Sequence, residues 1–342
     1  MIRMVTRFLL RLLVVVVIVG AAGWWEWRRV SQPYRAFAED EIFVELPQGA
    51  GVGSIAERLA AAGVVPDAWT FRIAARIAKN DRHLQAGEYR FTGAATPFDV
   101  ARRLDRGDVF KVSVTFPEGL TARDMAVVFA RSGLGTADDF LLAAADVAQV
   151  SSLDPGATDL EGYLFPDTYA MSRHAGAAGV VQRMLKAFQH AWDGRLRADA
   201  AAQGLSMRAA VTLASIIEKE TARPEERPLI SAVYRNRLTS GMALQCDPTV
   251  IYALEREGRW RGNLTHADLQ MNSPYNTYRI AGLPPGPIAA PGKASLDAAV
   301  HPADVPYLYF VSRNDGTHAF ATTLAEHEKN VQRWQVRYFK KR

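Results

Sequence analysis

The sequence predicts an α+β protein with three parts: an N-terminal transmembrane helix, a small α+β module, and a larger mixed α/β domain. Three observations carry that expectation. An arginine-flanked apolar run opens the chain. A strand–turn–helix pattern occurs twice, in IFVELPQGAGVGSIAERLAAAGVV and again in VSVTFPEGLTARDMAVVFARSGLG. From residue 155 onward the composition shifts to aromatic, acidic stretches and Ala-rich helices. At 342 residues, 49% hydrophobic and 23% charged, the chain has the composition of a globular protein and the length for two domains.

Residues 1–7 read as a cytoplasmic tail, 8–27 as the transmembrane helix and 28–40 as a linker. Phe8 to Trp25 holds a single charge, Arg11, which can snorkel to the interface. About 20 apolar residues span a bilayer. Trp24, Trp25 and Trp27 supply an aromatic belt, and arginines before the span keep the N-terminus in the cytoplasm, with the body outside it. A cleaved signal peptide is the alternative, but Ala21, Ala22 and Gly23 are followed by Trp-Trp-Glu-Trp and no polar mature start. The formal net charge is +5, of which +4 lies in residues 1–30. The near-neutral remainder argues against nucleic acid as a partner. Cys246 is the single cysteine and forms no intramolecular disulfide.

Residues 41–112 form the small module. Its strand and turn lead to a helix with Ile55, Leu59 and Ala62 on one face. PDAWTFRIAARIAKN follows as helix, LQAGEYRFT as strand and TPFDVARRLDRGD as helix, with Thr96 as cap, Pro97 at the first position and Gly107 at the end. No acids cluster here, so the module suits docking. In the second copy Pro117, Gly119, Met125, Phe129 and Gly133 match Pro47, Gly49, Ile55, Leu59 and Gly63. Residues 113–154 are expected to form a second βα unit bridging to the larger domain, 155–342. In that domain AAGVVQRMLKAFQHAWDGRL, MRAAVTLASIIEKET and PEERPLISAVYRNRLTSGM read as helices, the second ending at Arg223-Pro224 and the third at Gly241. MNSPYNTYRIAGLPPGPIAAPG is a long loop, YLYFVSRN a strand, and GTHAFATTLAEHEKNVQRWQVRY a turn and terminal helix.

The chain has no phosphate-binding GxxxxGK[ST], no GxSxG elbow and no HExxH metal helix. Its histidines are scattered without ligand spacing. What remains is carboxylates among aromatic and amide side chains, the equipment for carbohydrate: sugars stack on aromatic faces, and glycosidic cleavage needs an acid for the leaving oxygen. A carboxyl in apolar surroundings holds its proton at neutral pH. Glu218 and Glu220 at the end of LASIIEKET are the prime candidates. On a helical wheel both border the apolar arc. Small Ala214 and Ser215 leave more room beside Glu218, whereas Leu213 and Ile216 crowd Glu220. A pair of structural ion-pair partners fits the same pattern.

LEGYLFPDTY, LASIIEKET, VYRNRL, LQCDPTVIYAL, SPYNTY, GLPPGPI and HAFATTLAEH, in that order, resemble the YceG-like family across nearly the whole chain. The resemblance implies a membrane-anchored enzyme that cuts the MurNAc–GlcNAc β-1,4 bond of nascent peptidoglycan and leaves 1,6-anhydro-MurNAc ends. It implies a LysM-like character for 41–112, a catalytic role for 155–342 and for Glu218, the first Glu of EKET, and cell-wall synthases (penicillin-binding proteins) as partners in the cell inner membrane. In that reaction Glu218 would serve as acid and then base, with no metal or cofactor. Tyr163, Gln245, Asn276 and Tyr278 would hold the sugars, and Glu161 and Asp247 would orient them or support Glu218. The sequence departs from the family pattern at Cys246, where Ser or Thr is usual, and at Ala290 and Glu328, where Asn is expected. Two other readings fit the residues: a conventional glycosidase with Glu161 or Asp247 as second acid, and a non-catalytic peptidoglycan-binding scaffold.

Overall fold

The computed structural model describes residues 2–79 and 83–340. The chain forms two compact units, Met1–Lys111 and Val112–Arg342.

The first unit contains α1 (Ile2–Ser31), β1 (Ile42–Leu46), α2 (Val52–Ala61), α3 (Ala68–Ile77), β2 (Gly87–Phe91) and α4 (Pro97–Arg106). In α1 the stretch Leu9–Ser31 is 23 residues long and apolar enough to cross a membrane. The helix runs past the expected end at 27. Arg28 lies over the Trp24 ring, Arg29 reaches Glu26 one turn back and also Asp67 at the start of α3, and Val30 is buried. These contacts hold the last turn, so the expected linker begins only after Ser31. Antiparallel β1 and β2 pair from Ile42↔Phe91 to Leu46↔Gly87. Leu46, Leu59, Phe71, Tyr89 and Leu104 fill the core beneath them, each fully buried apolar side chain contributing about 1.5–3 kcal/mol. Thr96 caps α4 by accepting the Asp99 N–H, and Gly107 ends it in the left-handed region at φ +68°, as the sequence signals.

The second unit contains β3 (Val112–Thr115), α5 (Ala122–Arg131), α6 (Ala137–Ala144), β4 (Thr168–Met171), α7 (Gly176–Ala191), α8 (Gly194–Ala202), α9 (Met207–Glu220), α10 (Arg227–Thr239), α11 (Asp247–Arg256), α12 (Lys293–Val300), β5 (Tyr309–Ser312), β6 (His318–Ala321) and α13 (Leu324–Val331). The last helix continues through a π-helical stretch, Gln332–Val336, into α14 (Arg337–Lys340). The repeated motif is real. Gly49 and Gly119 turn at φ +77° and +76°, and Met125 and Phe129 are buried like Ile55 and Leu59. The second copy is not a bridge, however. β3 pairs with β4, and Phe116, Phe129 and Phe140 belong to the same core as Phe188, Trp192 and Ile217.

α9 is the central helix, packed against α8, α10, α11 and α12. Ser206 caps it by accepting the Ala209 N–H, and every residue from Ala210 to Ile217 is buried. Its Ala-rich all-round apolar surface is what a helix enclosed by others requires. It ends at Glu220, before the expected Arg223-Pro224. Thr221 turns extended, and its hydroxyl takes up the Arg223 N–H and binds Glu226. Pro224 starts a 3-10 turn instead. A strand also precedes the terminal helix: β6 pairs with β5 from Tyr309↔Ala321 to Ser312↔His318. Its four-residue alternation was hidden against the helix cap at Thr323.

Candidate active site

α9 delivers Glu218 and Glu220 on its last turn. Two positions apart on a helix is about 200°, so the carboxyls face different surroundings.

Glu218 is locked in place. Its Oε1 accepts from Arg227 at 3.2 Å and its Oε2 from the Gly292 N–H at 3.0 Å. The two charged side chains are only 6% and 9% exposed, so this ion pair is shielded from solvent. Arg227 also faces Glu118, 3.7 Å away, in the turn after β3. Burial and the nearby Glu218 raise the Glu118 pKa, and Arg227 opposes them. The Glu118 carboxyl lies against Gly292, in the place a Cβ would take, so a larger residue there would have to push this half-exposed side chain aside. Glu218 thus ties together the end of α9, the start of α10 and the proline-rich loop.

Glu220 faces the other way, into a cleft of about 350 Å³. Its Oε1 accepts from the Tyr234 hydroxyl at 2.7 Å and from the Cys246 thiol at 3.0 Å. Burial raises its pKa, against the hydrogen bonds from Tyr234 and Cys246; Asp247 adds to the rise and His318 opposes it. Gln245, Asp247 and Tyr278 share the cleft. The Tyr278 hydroxyl donates to Asp247 at 2.6 Å. Gln245 sits at φ +49°, a left-handed backbone unusual for a residue with a side chain, and such strain collects at functional sites. His318 and His327 also line the cleft. Burial and Arg237 lower the His327 pKa, and its ring stacks on Tyr309.

The structure therefore brings together Gln245, Asp247 and Tyr278 of the expected site, but around Glu220. Glu218, the expected acid, is in the clasp with Arg227. Tyr163 is 1% exposed and donates to Asp154, which Arg208 pairs at 2.6 Å and 2.8 Å, so it serves the core. Asn276 is fully buried; it donates to Leu269 and Met271 carbonyls and accepts the Tyr278 N–H. It shapes the loop that presents Tyr278. Glu161 lies at the start of α5, accepting the Ala122 N–H and lining other cavities. Sequence reasoning missed Tyr234 and His318 as cleft residues. Both lie inside motifs quoted above, VYRNRL and HAFATTLAEH, but nothing local marks either as facing a site.

A buried carboxyl whose pKa is raised by burial, beside a cleft of tyrosines, an amide and a second acid, is a candidate site for general acid chemistry on a hydroxylated substrate. The chain belongs to the YceG-like family, whose pattern matches residues 44–333. It is 28% identical over 323 residues to a Bacillus subtilis (strain 168) protein named endolytic murein transglycosylase, covering 90% of this chain and 88% of that one. A protein of the same name from Streptococcus pneumoniae serotype 2 (strain D39) is 29% identical over 366 residues, with 96% of this chain covered but only 65% of the relative. The crystal structure of a YceG-like protein from Listeria monocytogenes matches with a TM-score of 0.58 at 31% identity, covering 85% of this chain and 98% of that one.

Proposed function

We propose that this protein is a lytic transglycosylase, anchored by α1, that cleaves the MurNAc–GlcNAc β-1,4 bond within nascent peptidoglycan strands, with Glu220 as general acid. The observation that carries the choice of residue is the cleft itself: Glu220, its pKa raised by burial, lines the same space as Gln245, Asp247 and Tyr278. The names of the B. subtilis and S. pneumoniae relatives support the substrate and the reaction class. Glu220 protonates the leaving GlcNAc oxygen, the C1–O4 bond breaks, and the MurNAc C6 hydroxyl closes on C1 to give the 1,6-anhydro end. Both hydrogen bonds to Glu220 end on Oε1, which leaves Oε2 for the glycosidic oxygen. Arginines ahead of the span set the N-terminus in the cytoplasm and the body on the outer face of the inner membrane. There it would terminate strands made by neighbouring synthases. The first unit, two helices between two antiparallel strands, is proposed as the LysM-like glycan-docking module.

A conventional glycosidase needs a second carboxyl across the scissile bond. Asp247 is the carboxyl present in the cleft, and the Tyr278 hydroxyl engages its Oδ1. The deciding experiment incubates the full chain, Glu220→Gln and Glu218→Gln with uncrosslinked nascent peptidoglycan and reads chain ends by mass spectrometry. Anhydro-MurNAc ends from the wild type and none from Glu220→Gln are expected. Reducing ends would mean a hydrolase. Cleavage that survives in Glu220→Gln but fails in a folded Glu218→Gln would return the acid role to Glu218. Binding without cleavage by any form would favour a scaffold.

A further inference from the structure

The C6 hydroxyl must lose a proton as it attacks C1, and the cleft holds a group built to take it. His318 is the first residue of β6, and its ring lines the cleft that Glu220 faces. Glu226, in the 3-10 turn directly after α9, grips it twice. Glu226 Oε1 accepts the His318 backbone N–H at 2.8 Å, and Oε2 lies 2.6 Å from the ring Nδ1. Thr221, the residue next to Glu220, also donates to Glu226 Oε2. The ring meets Phe310 edge-on, at 5.4 Å between centroids and 90° between planes. The carboxylate and the aromatic wall together fix the ring's position and plane. In a neutral imidazole, Nδ1 donating to Glu226 leaves the lone pair on Nε2, the nitrogen that Glu226 does not engage. A carboxylate on one imidazole nitrogen, with a reacting hydroxyl on the other, is the arrangement by which an imidazole becomes a general base.

We propose that His318, oriented by Glu226, is a second catalytic residue that accepts the C6-hydroxyl proton through Nε2. This rests on the transglycosylase reading above and deepens it. If Glu220 served alone, one carboxyl oxygen would have to release its proton before it could take another. A base beside it activates the C6 hydroxyl while Glu220 still holds its proton. The step balances. The Glu220 proton goes to O4 of the departing GlcNAc, the C1–O4 bond breaks, the C1–O6 bond forms, and the C6-hydroxyl proton goes to Nε2. Proton transfer from His318 back to the Glu220 carboxylate, directly or through water, restores both groups. No oxidant, metal or further reactant enters.

The test uses the full chain in detergent micelles with uncrosslinked glycan strands, measuring kcat, KM and chain ends. His318→Gln should lower kcat by about 100-fold or more, in the range general bases contribute, with KM changed less than about threefold and any product still anhydro-ended. His318→Gly should be similarly slow and regain at least tenfold in added imidazole, which leaves the wild type and Glu220→Gln unchanged. Glu226→Gln should lower kcat about tenfold, as expected of a positioning residue. Thermal melts confirm that each variant is folded. A folded His318→Gln within threefold of wild-type kcat would overturn the proposal and leave Glu220 as both acid and base. So would a slow His318→Gly that imidazole cannot rescue while Glu226→Gln keeps full activity. Absence of anhydro ends from the wild type would defeat the transglycosylase reading itself, a separate result.

Discussion

Replacing Glu161 with Gln should stabilise the protein by an amount that depends on pH. The Glu161 carboxyl is buried, accepts the Ala122 N–H at 3.0 Å and 3.2 Å, and receives the Tyr252 hydroxyl at 3.3 Å. Burial pushes its pKa up to about 8 from an ordinary 4.5; the Ala122 bond pulls it down, and Asp159 adds to the rise. The native state therefore holds a proton that the unfolded chain has released between pH 4.5 and 8. Its contribution is intact below the unfolded pKa and is lost as pH climbs through that window. At about 1.4 kcal/mol per unit, the wild type gives up about 3 kcal/mol between pH 4.5 and 7 and about 5 kcal/mol by pH 8 and above. Glutamine keeps the shape and an acceptor for Ala122, and it cannot ionise. The stability of Glu161→Gln minus that of wild type should be level below pH 4.5, higher by about 3 kcal/mol at pH 7, and level again above pH 8. Urea unfolding of both proteins at pH 4.5, 7 and 8.5 measures this, and the other titrating groups cancel in the difference. A difference that does not change with pH would refute a neutral buried Glu161 and make it an ionised partner of the neighbouring Arg256.

The other predictions concern the two ends of the EKE motif and its surroundings. Glu218→Gln should lower stability by about 3 kcal/mol, because it leaves Arg227 as a buried charge short of its counter-ion; calorimetry checks this, and a shift in Tm under 2 °C would contradict the clasp. Cys246→Ser should stay active, with the alkaline fall of kcat displaced to lower pH. A hydroxyl donates to Glu220 Oε1 more strongly than the thiol now 3.0 Å away, favours the carboxylate and lowers the pKa. A pH–rate profile moved upward would argue against that bond. Asn276→Ala should cost about 2–4 kcal/mol, since it removes two donated hydrogen bonds and one accepted bond in a fully buried position. It should also raise KM through Tyr278, and unchanged glycan binding would remove Asn276 from the support of the cleft.

Much of the fold was legible because its signals are local. The βα repeat announced itself through Pro47/Pro117 and Gly49/Gly119, and both glycines do adopt the positive φ that a turn demands. The Thr96 cap and the Gly107 stop bound α4 where the sequence placed them. The misses depend on partners distant in sequence. β6 is four residues long and exists because β5 pairs with it. The turn after β3 joins the larger unit because β4, more than fifty residues later, completes its sheet. Likewise, of the expected site residues Gln245, Asp247 and Tyr278 share a cleft, but Asn276 and Tyr163 are of the same types and are spent on loop and core bonds. Composition cannot tell a polar group aimed at a ligand from one aimed at a backbone carbonyl.

The choice between Glu218 and Glu220 shows where a helical wheel stops being informative. The wheel measures crowding by neighbours on the same helix, and by that measure Leu213 and Ile216 count against Glu220. Beyond the last turn, however, α9 has no more neighbours of its own, and what surrounds each carboxyl comes from elsewhere. Arg227 and the Gly292 N–H close over Glu218. Tyr234 and Cys246 both donate to Oε1 of Glu220, which lines the cleft. A spacing of two residues favours the division: carboxyls about 200° apart on a helix start out towards different surroundings. The first glutamate therefore fixes the helix end against two loops, while the second lines the cleft with its pKa raised by burial. Under the proposed role of Glu220 the clasp matters to the chemistry, because a general acid must be placed closely and Glu220 is only two residues from the point where Glu218 anchors the helix.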